Sequence, residues 1–429
     1  MKNIPTPKLN KKEQKDGTLL YPYYAGYSYS FIDSILKNFS GQNIKILDPW
    51  SGTGLTSIVA KKYSLESVGL DINPVLTIVA KANNISKITS LSIRALKYRI
   101  IESVRITKPV KHEESINEPL DLWFTESTAS NIRNIEDVIY RLLVNENGRK
   151  RLIVDESAIS DIACFFYVGL FKTTKHLVKT SFSTSNPTWI KTAKSDTDRL
   201  ELDQEVVIDV FSNEIDKMLS IIDNSNVFIN DKISVEFMTG DSTNLPLKPN
   251  SIDMVLTSPP YCTRIDYAIS TRPELAILGL AEGSCFKELR NNIIGTTTIN
   301  KSTNVSNELW GRRCLDFLNE VGQHESQGSK NYYLKNYLQY FNSMYSSFSE
   351  ISRVCKKGAL VGIVAQDSYY KQLHNNLPAF FDDMFENLGF EIVDNIEFKT
   401  NSFNNLKNKV ENNINKSAPV EHFLTYRKS

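Results

Sequence analysis

The sequence predicts an α/β fold in which a mostly parallel sheet with flanking helices is interrupted by a mainly helical insertion. Three observations support this prediction. Short apolar runs alternate with helical stretches near both ends of the chain, a small-residue turn follows the first run, and the middle of the chain lacks strand alternation. Short apolar strands separated by helices are typical of βαβ units, whose strands lie parallel in one sheet.

The first βαβ unit lies between residues 44 and 70. Its predicted elements are a strand at Ile44–Leu47, a turn at Ser51–Gly54, a helix at Leu55–Tyr63 and a strand at Ser67–Leu70. Further strands are predicted at Ser234–Met238, Met254–Leu256, Ala359–Val364, Phe390–Ile396 and Glu421–Tyr426. Because the strand pattern stops after the first unit and resumes near residue 234, we expect one discontinuous sheet domain.

The intervening segment has helical patterns such as Ser130–Leu143 and Val206–Ile222. We therefore expect three parts. They are a polar N-terminal arm at residues 1–20, a sheet domain formed by residues 21–84 and 226–429, and a mainly helical insertion at residues 85–225.

Composition excludes several classes of protein. The 429 residues carry a net charge of +1 and are 41% hydrophobic, so the chain is of ordinary globular type and has no overall attraction to a polyanion. No apolar run approaches the roughly 20 residues that span a bilayer, and the N-terminus lacks a secretory pattern. The five cysteines show no metal-ligand or CxxC spacing, so we expect no metal site, no disulfide framework and a cytoplasmic protein.

The first candidate functional segment is Asp48–Gly54 (DPWSGTG), where a strand ends in an acid and two glycines precede a helix. Glycines let a ligand approach the backbone, and a helix N-terminus offers free N–H groups. The dinucleotide fingerprint requires a third glycine where Ser57 stands, so that motif is absent. A tight turn without a ligand is the alternative interpretation.

The second candidate segment is Val68–Pro74 (VGLDINP), in which Asp71 ends the next strand. An acid at this place accepts hydrogen bonds from ribose hydroxyls in nucleotide-binding α/β folds. An aspartate before a helix is also a common N-cap, which is the alternative. The glycine turn upstream favours the ribose interpretation.

The third candidate segment is Thr257–Tyr261 (TSPPY), which follows Gly240–Pro246 (GDSTNLP) and a short apolar strand. Two prolines fix the backbone and donate no N–H, so their carbonyls are fixed acceptors. Ser258 adds a side-chain oxygen and Tyr261 an aromatic face. Acceptors beside an aromatic plane suit the exocyclic amine of a planar base.

Together these motifs resemble those of the amino-methylating DNA methyltransferases, which use S-adenosylmethionine to methylate N4 of cytosine or N6 of adenine. DPWSGTG resembles the family's DPFxGxG, with Trp50 in place of Phe, and TSPPY resembles its catalytic (S/T/D/N)PPY motif. Tyr21–Tyr27 is loosely similar to a segment that closes over the cofactor. The resemblance implies a Rossmann-like class I methyltransferase fold with a central, mostly parallel, seven-stranded sheet.

The resemblance also implies a role for each matching residue. The implied cofactor-binding residues are Asp48, Pro49, Gly52, Gly54, Asp71, Asn73 and Asp241. The implied catalytic residues are Ser258, Pro259, Pro260 and Tyr261. Ser258 and the Pro259 carbonyl would hold the target amine, and Tyr261 would stack on a base flipped out of the duplex.

Residues 163–195 contain no Asp or Glu, and their lysines and hydroxyl groups suit contacts with phosphates. The candidate DNA-binding residues there are Lys172, Lys175, Lys179, Trp189 and Lys191, and Arg264 is a further candidate after the catalytic motif. The alternative is a solvated surface. We expect double-stranded DNA as the partner, in a restriction-modification setting. The chain has no endonuclease motif, so any restriction endonuclease would be a separately encoded protein.

Ser258, in place of Asp or Asn, favours cytosine N4 as the target. N6 of adenine, an RNA base, and a non-catalytic DNA-binding subunit remain alternatives. No Pro-Cys dipeptide is present to serve as the nucleophile of carbon-5 cytosine methylation.

Overall fold

The centre of the fold is one seven-stranded sheet. The computed structural model describes residues 4–9, 19–23, 26–107, 118–147, 156–185, 189–225, 232–262, 266–299, 305–398 and 419–429. The strands of the sheet are β1 (Lys45–Asp48), β2 (Glu66–Asp71), β3 (Val235–Thr239), β4 (Ile252–Thr257), β5 (Cys355–Gln366), β8 (Phe390–Phe398) and β9 (Glu421–Lys428). Their order across the sheet is β3-β2-β1-β4-β5-β9-β8.

Strand direction divides the sheet into a parallel part and an antiparallel edge. Strands β3, β2, β1, β4 and β5 are parallel, whereas β9 runs antiparallel to both β5 and β8. The middle strands β1 and β4 are apolar because both of their faces are covered, and Ile46, Leu47, Val255 and Leu256 are fully buried. This arrangement confirms the predicted fold class and all seven predicted strands.

The strand order reverses between β1 and β4, which are neighbours although more than 200 residues separate them in the sequence. In open α/β sheets, ligands bind outside the carboxyl ends of the strands at such a point. Ser51–Gly54 follows β1 and Ser258–Tyr261 follows β4, so the sheet brings these two segments to the same crevice.

Helices cover both faces of the sheet. They are α1 (Tyr29–Leu36), α2 (Leu55–Lys62), α3 (Pro74–Asn83), α4 (Lys87–Ile106), α5 (Glu126–Leu143), α6 (Asp161–Phe182), α7 (Gln204–Asn224), α8 (Tyr267–Ser270), α9 (Arg272–Ile277), α10 (Gly283–Asn292), α11 (Arg312–Gln323), α12 (Leu334–Val354) and α13 (Leu377–Asn387). A small hairpin, β6 (Ser368–Tyr370) with β7 (Leu373–Asn375), was not predicted, because strands of three residues are too short to show alternation. Within the described ranges, no helix is long and apolar enough to cross a bilayer.

The insertion contributes the long helices α4, α5, α6 and α7, which pack on one another and on α3 and α9. One cluster of buried side chains includes Val79 of α3, Phe165 of α6 and Ile277 of α9. The hydrophobic core therefore crosses the sequence boundary at residue 84, and α6 becomes a wall of the ligand crevice. In the predicted N-terminal arm, Lys8 forms a β-bridge with Tyr27 and Leu20 is buried.

Candidate active site

The turn between β1 and α2 depends on two glycines with positive φ, +52° at Gly52 and +80° at Gly54. A Cβ on Gly54 would lie 2.8 Å from Ala80 Cβ and 2.8 Å from the Phe237 ring, which leaves no room for a side chain. A Cβ on Gly52 would lie 3.4 Å from the Tyr23 ring. The turn is therefore a backbone surface that only glycine can form in this conformation.

Asp48 lies beneath this turn and is almost fully buried. Its carboxylate accepts hydrogen bonds from Thr257 Oγ1 at 2.6 Å, Thr56 Oγ1 at 2.5 Å and the Trp50 N–H at 3.2 Å. Burial raises the pKa of Asp48, and these hydrogen bonds oppose that rise. Asp48 thus connects the ends of β1 and β4 and stabilises the conformation of the glycine turn that lines the crevice.

Asp71 ends β2 and lies beside the glycine turn. Its two oxygens accept the Gly52 N–H at 3.0 Å and the Asn73 N–H at 2.9 Å. Burial raises the pKa of Asp71 to about 6, against the effect of both N–H groups and together with the nearby Asp48 charge. Asn73 is buried and caps α3, since its Oδ1 accepts the Val75 N–H at 3.1 Å, and it also donates to Thr271 Oγ1 at 2.8 Å.

A cavity of about 720 Å³ lies at the carboxyl ends of the strands. Of the sequence-predicted cofactor residues, those that line it are Pro49, Gly52, Asp71, Asn73 and Asp241. Asp48 and Gly54 support the turn from behind and do not line the cavity. Asp241 also stabilises its own loop, where its Oδ1 accepts the Thr243 N–H at 2.8 Å.

The Ser258–Tyr261 turn forms another wall, and all four residues line the cavity. The Pro260 carbonyl accepts a hydrogen bond from the Tyr340 hydroxyl at 3.0 Å, which fixes the turn against α12. The Tyr261 hydroxyl donates to Glu421 Oε1 at 3.1 Å, and burial raises the Tyr261 pKa. Tyr340 and Glu421 could not be identified from the sequence as partners of this turn. Each lies 80 or more residues away from its partner and belongs to no recognisable motif.

The N-terminal segment 19–23 covers the cavity, and every one of its residues lines it. The Leu20 N–H donates to Asn83 Oδ1 at 2.9 Å, and Asn83 Nδ2 donates to the Thr53 carbonyl at 3.0 Å. The segment is thereby attached to the glycine turn through a single asparagine side chain of α3.

The three candidate DNA-binding lysines of α6 differ in their partners and in their exposure. Lys172 and Lys175 line the cavity and have acidic partners, Glu214 at 3.4 Å and the fully buried Glu274 at 2.7 Å. The acids come from α7 and α9, so an acid-free stretch of sequence does not make an acid-free surface. Lys179, one turn further on, is exposed at the cavity rim.

Two further DNA-binding candidates, Trp189 and Lys191, do not line the cavity. Trp189 has an exposed fraction of 43% and Lys191 is also exposed. The Lys191 carbonyl accepts the Trp123 indole N–H at 2.7 Å, which fixes the backbone of this loop. Arg264 lies outside the described residues. In the part of the chain that the structure describes, no group of three or more His, Cys, Asp or Glu residues could hold a metal ion.

Comparison with known proteins finds a family model that matches the C-terminal part of the chain. Residues 252–429, from β4 through β9 and including the Ser258–Tyr261 turn, match the family model of the N6/N4 DNA methylases, described as "DNA methylase". This match, together with the curated relatives below, supports the amino-methylating DNA methyltransferase family for this chain. The glycine turn and Asp71 precede the matched residues, and the sheet places them beside the matched turn.

Curated relatives of this chain are named type II methyltransferases. It is 25% identical to the type II methyltransferase M.BsoBI of Geobacillus stearothermophilus, over 86% of this chain and 78% of the relative. It is 26% identical to the type II methyltransferase M.MvaI of Kocuria varians, over 51% of this chain and 46% of that protein.

Two solved structures overlap this methyltransferase along most of its length, with low similarity. A SAM-dependent methyltransferase from Methanosarcina mazei is 10% identical at a TM-score of 0.28, covering 92% of this chain and 96% of its own. The rRNA methyltransferase aviRa from Streptomyces viridochromogenes is 9% identical at a TM-score of 0.31, covering 98% and 93%.

The match to this family implies S-adenosylmethionine as the cofactor, as the sequence predicted. The crevice fits this molecule, because a bare glycine backbone at Gly52 leaves space that a Cβ would fill, and Asp71 offers carboxylate oxygens suited to ribose hydroxyls. Asp241 also lines the cavity and adds a second carboxylate acceptor.

Proposed function

We propose that this DNA methyltransferase transfers a methyl group from S-adenosylmethionine to N4 of a cytosine flipped out of duplex DNA. One observation supports this most directly. The Ser258–Tyr261 turn at the end of β4 and the glycine turn at the end of β1 line the same cavity. A base on the first turn and a methyl donor on the second would meet at the point where the strand order reverses.

The chemistry requires positioning rather than an enzyme nucleophile. The lone pair of an exocyclic amine is delocalised into the ring, which makes the amine a poor nucleophile. In the proposal, Ser258 Oγ and the Pro259 carbonyl accept hydrogen bonds from the N–H groups of this amine. These hydrogen bonds favour the pyramidal geometry that the amine needs for attack. The Tyr261 ring supports the base from one face, and the cofactor supplies the electrophilic methyl group.

The choice of cytosine rests on Ser258. The resemblance to the amino-methylating DNA methyltransferases implies that Ser at the first position of the (S/T/D/N)PPY motif favours cytosine over adenine. The methyltransferase would act in a restriction-modification setting like that of type II relatives, with a separate endonuclease as its counterpart. Lys179, Trp189, Lys191 and Arg264 remain predicted DNA contacts. For Lys172 and Lys175 the structure supports a role at the cavity wall instead.

The deciding experiment is mass spectrometry of nucleosides from DNA of cells that express the protein. We expect N4-methylcytosine with the wild type and little of it with Ser258→Ala, which should still bind cofactor and DNA. N6-methyladenine alone would overturn the base assignment and keep the mechanism. A methylated base in RNA but not in DNA would favour the RNA alternative. Bound cofactor with no methylated base in either nucleic acid would favour a non-catalytic subunit.

A further inference from the structure

A buried carboxylate lies behind the catalytic turn. Glu421 is the first residue of β9, 160 residues after Tyr261, and its Oε1 accepts the Tyr261 hydroxyl at 3.1 Å. It has an exposed fraction of 5%. Its neighbours in the sheet are Gln366 on β5 and Phe398 on β8, so β9 is paired with a strand on both sides at Glu421.

The second oxygen of this carboxylate, Oε2, is buried and accepts no hydrogen bond from any residue that the structure describes. A buried carboxylate with one unpaired oxygen is costly to the folded state. Burial raises the pKa of Glu421, and the Tyr261 hydrogen bond and the Lys8 charge oppose that rise. For a purely structural position at the edge of a core, an apolar side chain would avoid this cost. The hydrogen bond to the catalytic turn is the contact that an apolar residue could not make.

We propose that Glu421 is a positioning residue that fixes the Tyr261 ring so that its face meets the flipped base. This inference rests on the proposed function, in which Tyr261 stacks on the target base. Glu421 does not line the cavity, so it would contact neither a base nor a cofactor bound there. It acts through Tyr261, whose ring can pivot about its side-chain torsions unless the hydroxyl is held.

The test uses two single variants that remove the same hydrogen bond from opposite ends. Tyr261→Phe removes the donor, and Glu421→Leu removes the acceptor. Each should lower kcat by about three- to tenfold, as expected for one hydrogen bond, while the affinity for cofactor stays unchanged. The double variant should lose no more than the larger single effect. Glu421→Gln keeps an acceptor oxygen and should restore most of the rate.

Strand β9 offers a matched control. Tyr426 is fully buried and its hydroxyl donates to Asp382 Oδ1 at 2.9 Å, but it does not line the cavity. Tyr426→Phe therefore removes a tyrosine–carboxylate bond from the same strand and should lower stability without changing kcat. If Glu421→Leu fails to fold, the comparison of Tyr261→Phe, Glu421→Gln and Tyr426→Phe still decides.

A second measurement separates this inference from the proposed function. Fluorescence of 2-aminopurine at the target position of a DNA duplex reports capture of the flipped base even when no methyl group is transferred. We expect weaker or more heterogeneous capture in Tyr261→Phe and Glu421→Leu than in the wild type and Tyr426→Phe. Wild-type capture and rate in a folded Tyr261→Phe would overturn the inference. A wild type that captures the base and methylates nothing would overturn only the proposed function.

Discussion

At the scale of single residues, the carboxyl groups of the crevice have different tasks although the sequence presents them alike. Asp48 and Asp71 both end parallel strands, yet Asp48 is saturated by side chains and a backbone N–H from behind the turn. Asp71 accepts two backbone N–H groups and lines the cavity. The motif identifies both positions, but only packing shows which carboxylate remains available to a ligand.

The affinity for cofactor should depend on pH through Asp71. Its pKa is raised to about 6, so the carboxylate that we propose to accept the ribose hydroxyls is ionised above this pH and protonated below it. Affinity should therefore be constant above pH 7 and fall by about tenfold per unit well below 6. Calorimetry from pH 5 to 8 measures this. Asp71→Asn should bind weakly with a flat profile, and an unchanged slope in that variant would contradict the assignment.

Gly54 can be tested against a glycine that differs only in its surroundings. Gly54 and Gly41 have φ values of +80° and +73°, but a Cβ on Gly41 would meet nothing within 4 Å. Gly41→Ala should cost about 1–2 kcal/mol of backbone strain. Gly54→Ala should cost about 2–5 kcal/mol, because the overlap with Ala80 and Phe237 adds to the strain, and it should also weaken cofactor binding. Equal urea midpoints for the two variants would contradict this.

At the scale of elements, each strand of the sheet could be predicted from a short apolar run. The order of the strands in the sheet and their directions could not. The order β5-β9-β8 places the last strand between two earlier ones, and the run Glu421–Tyr426 carries no mark of its antiparallel direction. Helix α6 shows the same limit. Its lysines are visible in the sequence, whereas Glu214 and Glu274 reach them from helices about 40 and 100 residues away.

The α6 lysines should control cofactor affinity through segment 19–23. Lys172 Nζ donates to the Leu20 carbonyl at 3.1 Å, and Lys175 Nζ donates to Tyr21 Oη at 2.6 Å. Tyr21 also donates to Glu274, so the segment is held over the cavity by a charged pair. Lys175→Met should weaken cofactor binding on the order of tenfold, mainly by faster dissociation, as the segment is released.

Lys97 provides the control for this prediction. It is a nearly buried lysine of the same insertion, paired with Asp216 at 2.6 Å between α4 and α7, and it does not line the cavity. Lys97→Met should lower stability and leave the cofactor dissociation rate unchanged. Stopped-flow measurement of that rate in both variants is the test. Equal rates would show that the lysines of α6 only support the fold.

At the scale of the whole molecule, the insertion behaves in packing terms as part of the sheet domain. Arg133 of α5 is 2% exposed and pairs with Glu118 at 2.7 Å and with Glu136. It also donates to the carbonyls of Ala276 at 2.7 Å and Ile277 at 2.6 Å, at the end of α9. A cation there is favourable to the α9 dipole, and the pair of acids raises the pKa of Arg133.

Unfolding should therefore be one transition across both parts of the chain. Trp123 is buried in the core that includes the insertion helices, and Trp310 is buried in the core on α11–α13, so each reports a different region. Variants whose only tryptophan is Trp123 or Trp310 should give coincident urea curves by tryptophan fluorescence. Arg133→Met leaves two nearly buried acids without their cation. Both curves should therefore shift together, by an amount that corresponds to a loss of about 3–5 kcal/mol in the free energy of unfolding.

The exposed Arg94, paired with Asp223, is the control, because its loss should cost under about 1 kcal/mol. A Trp123 curve that moves alone would show that the insertion unfolds by itself and that the core does not join the two parts.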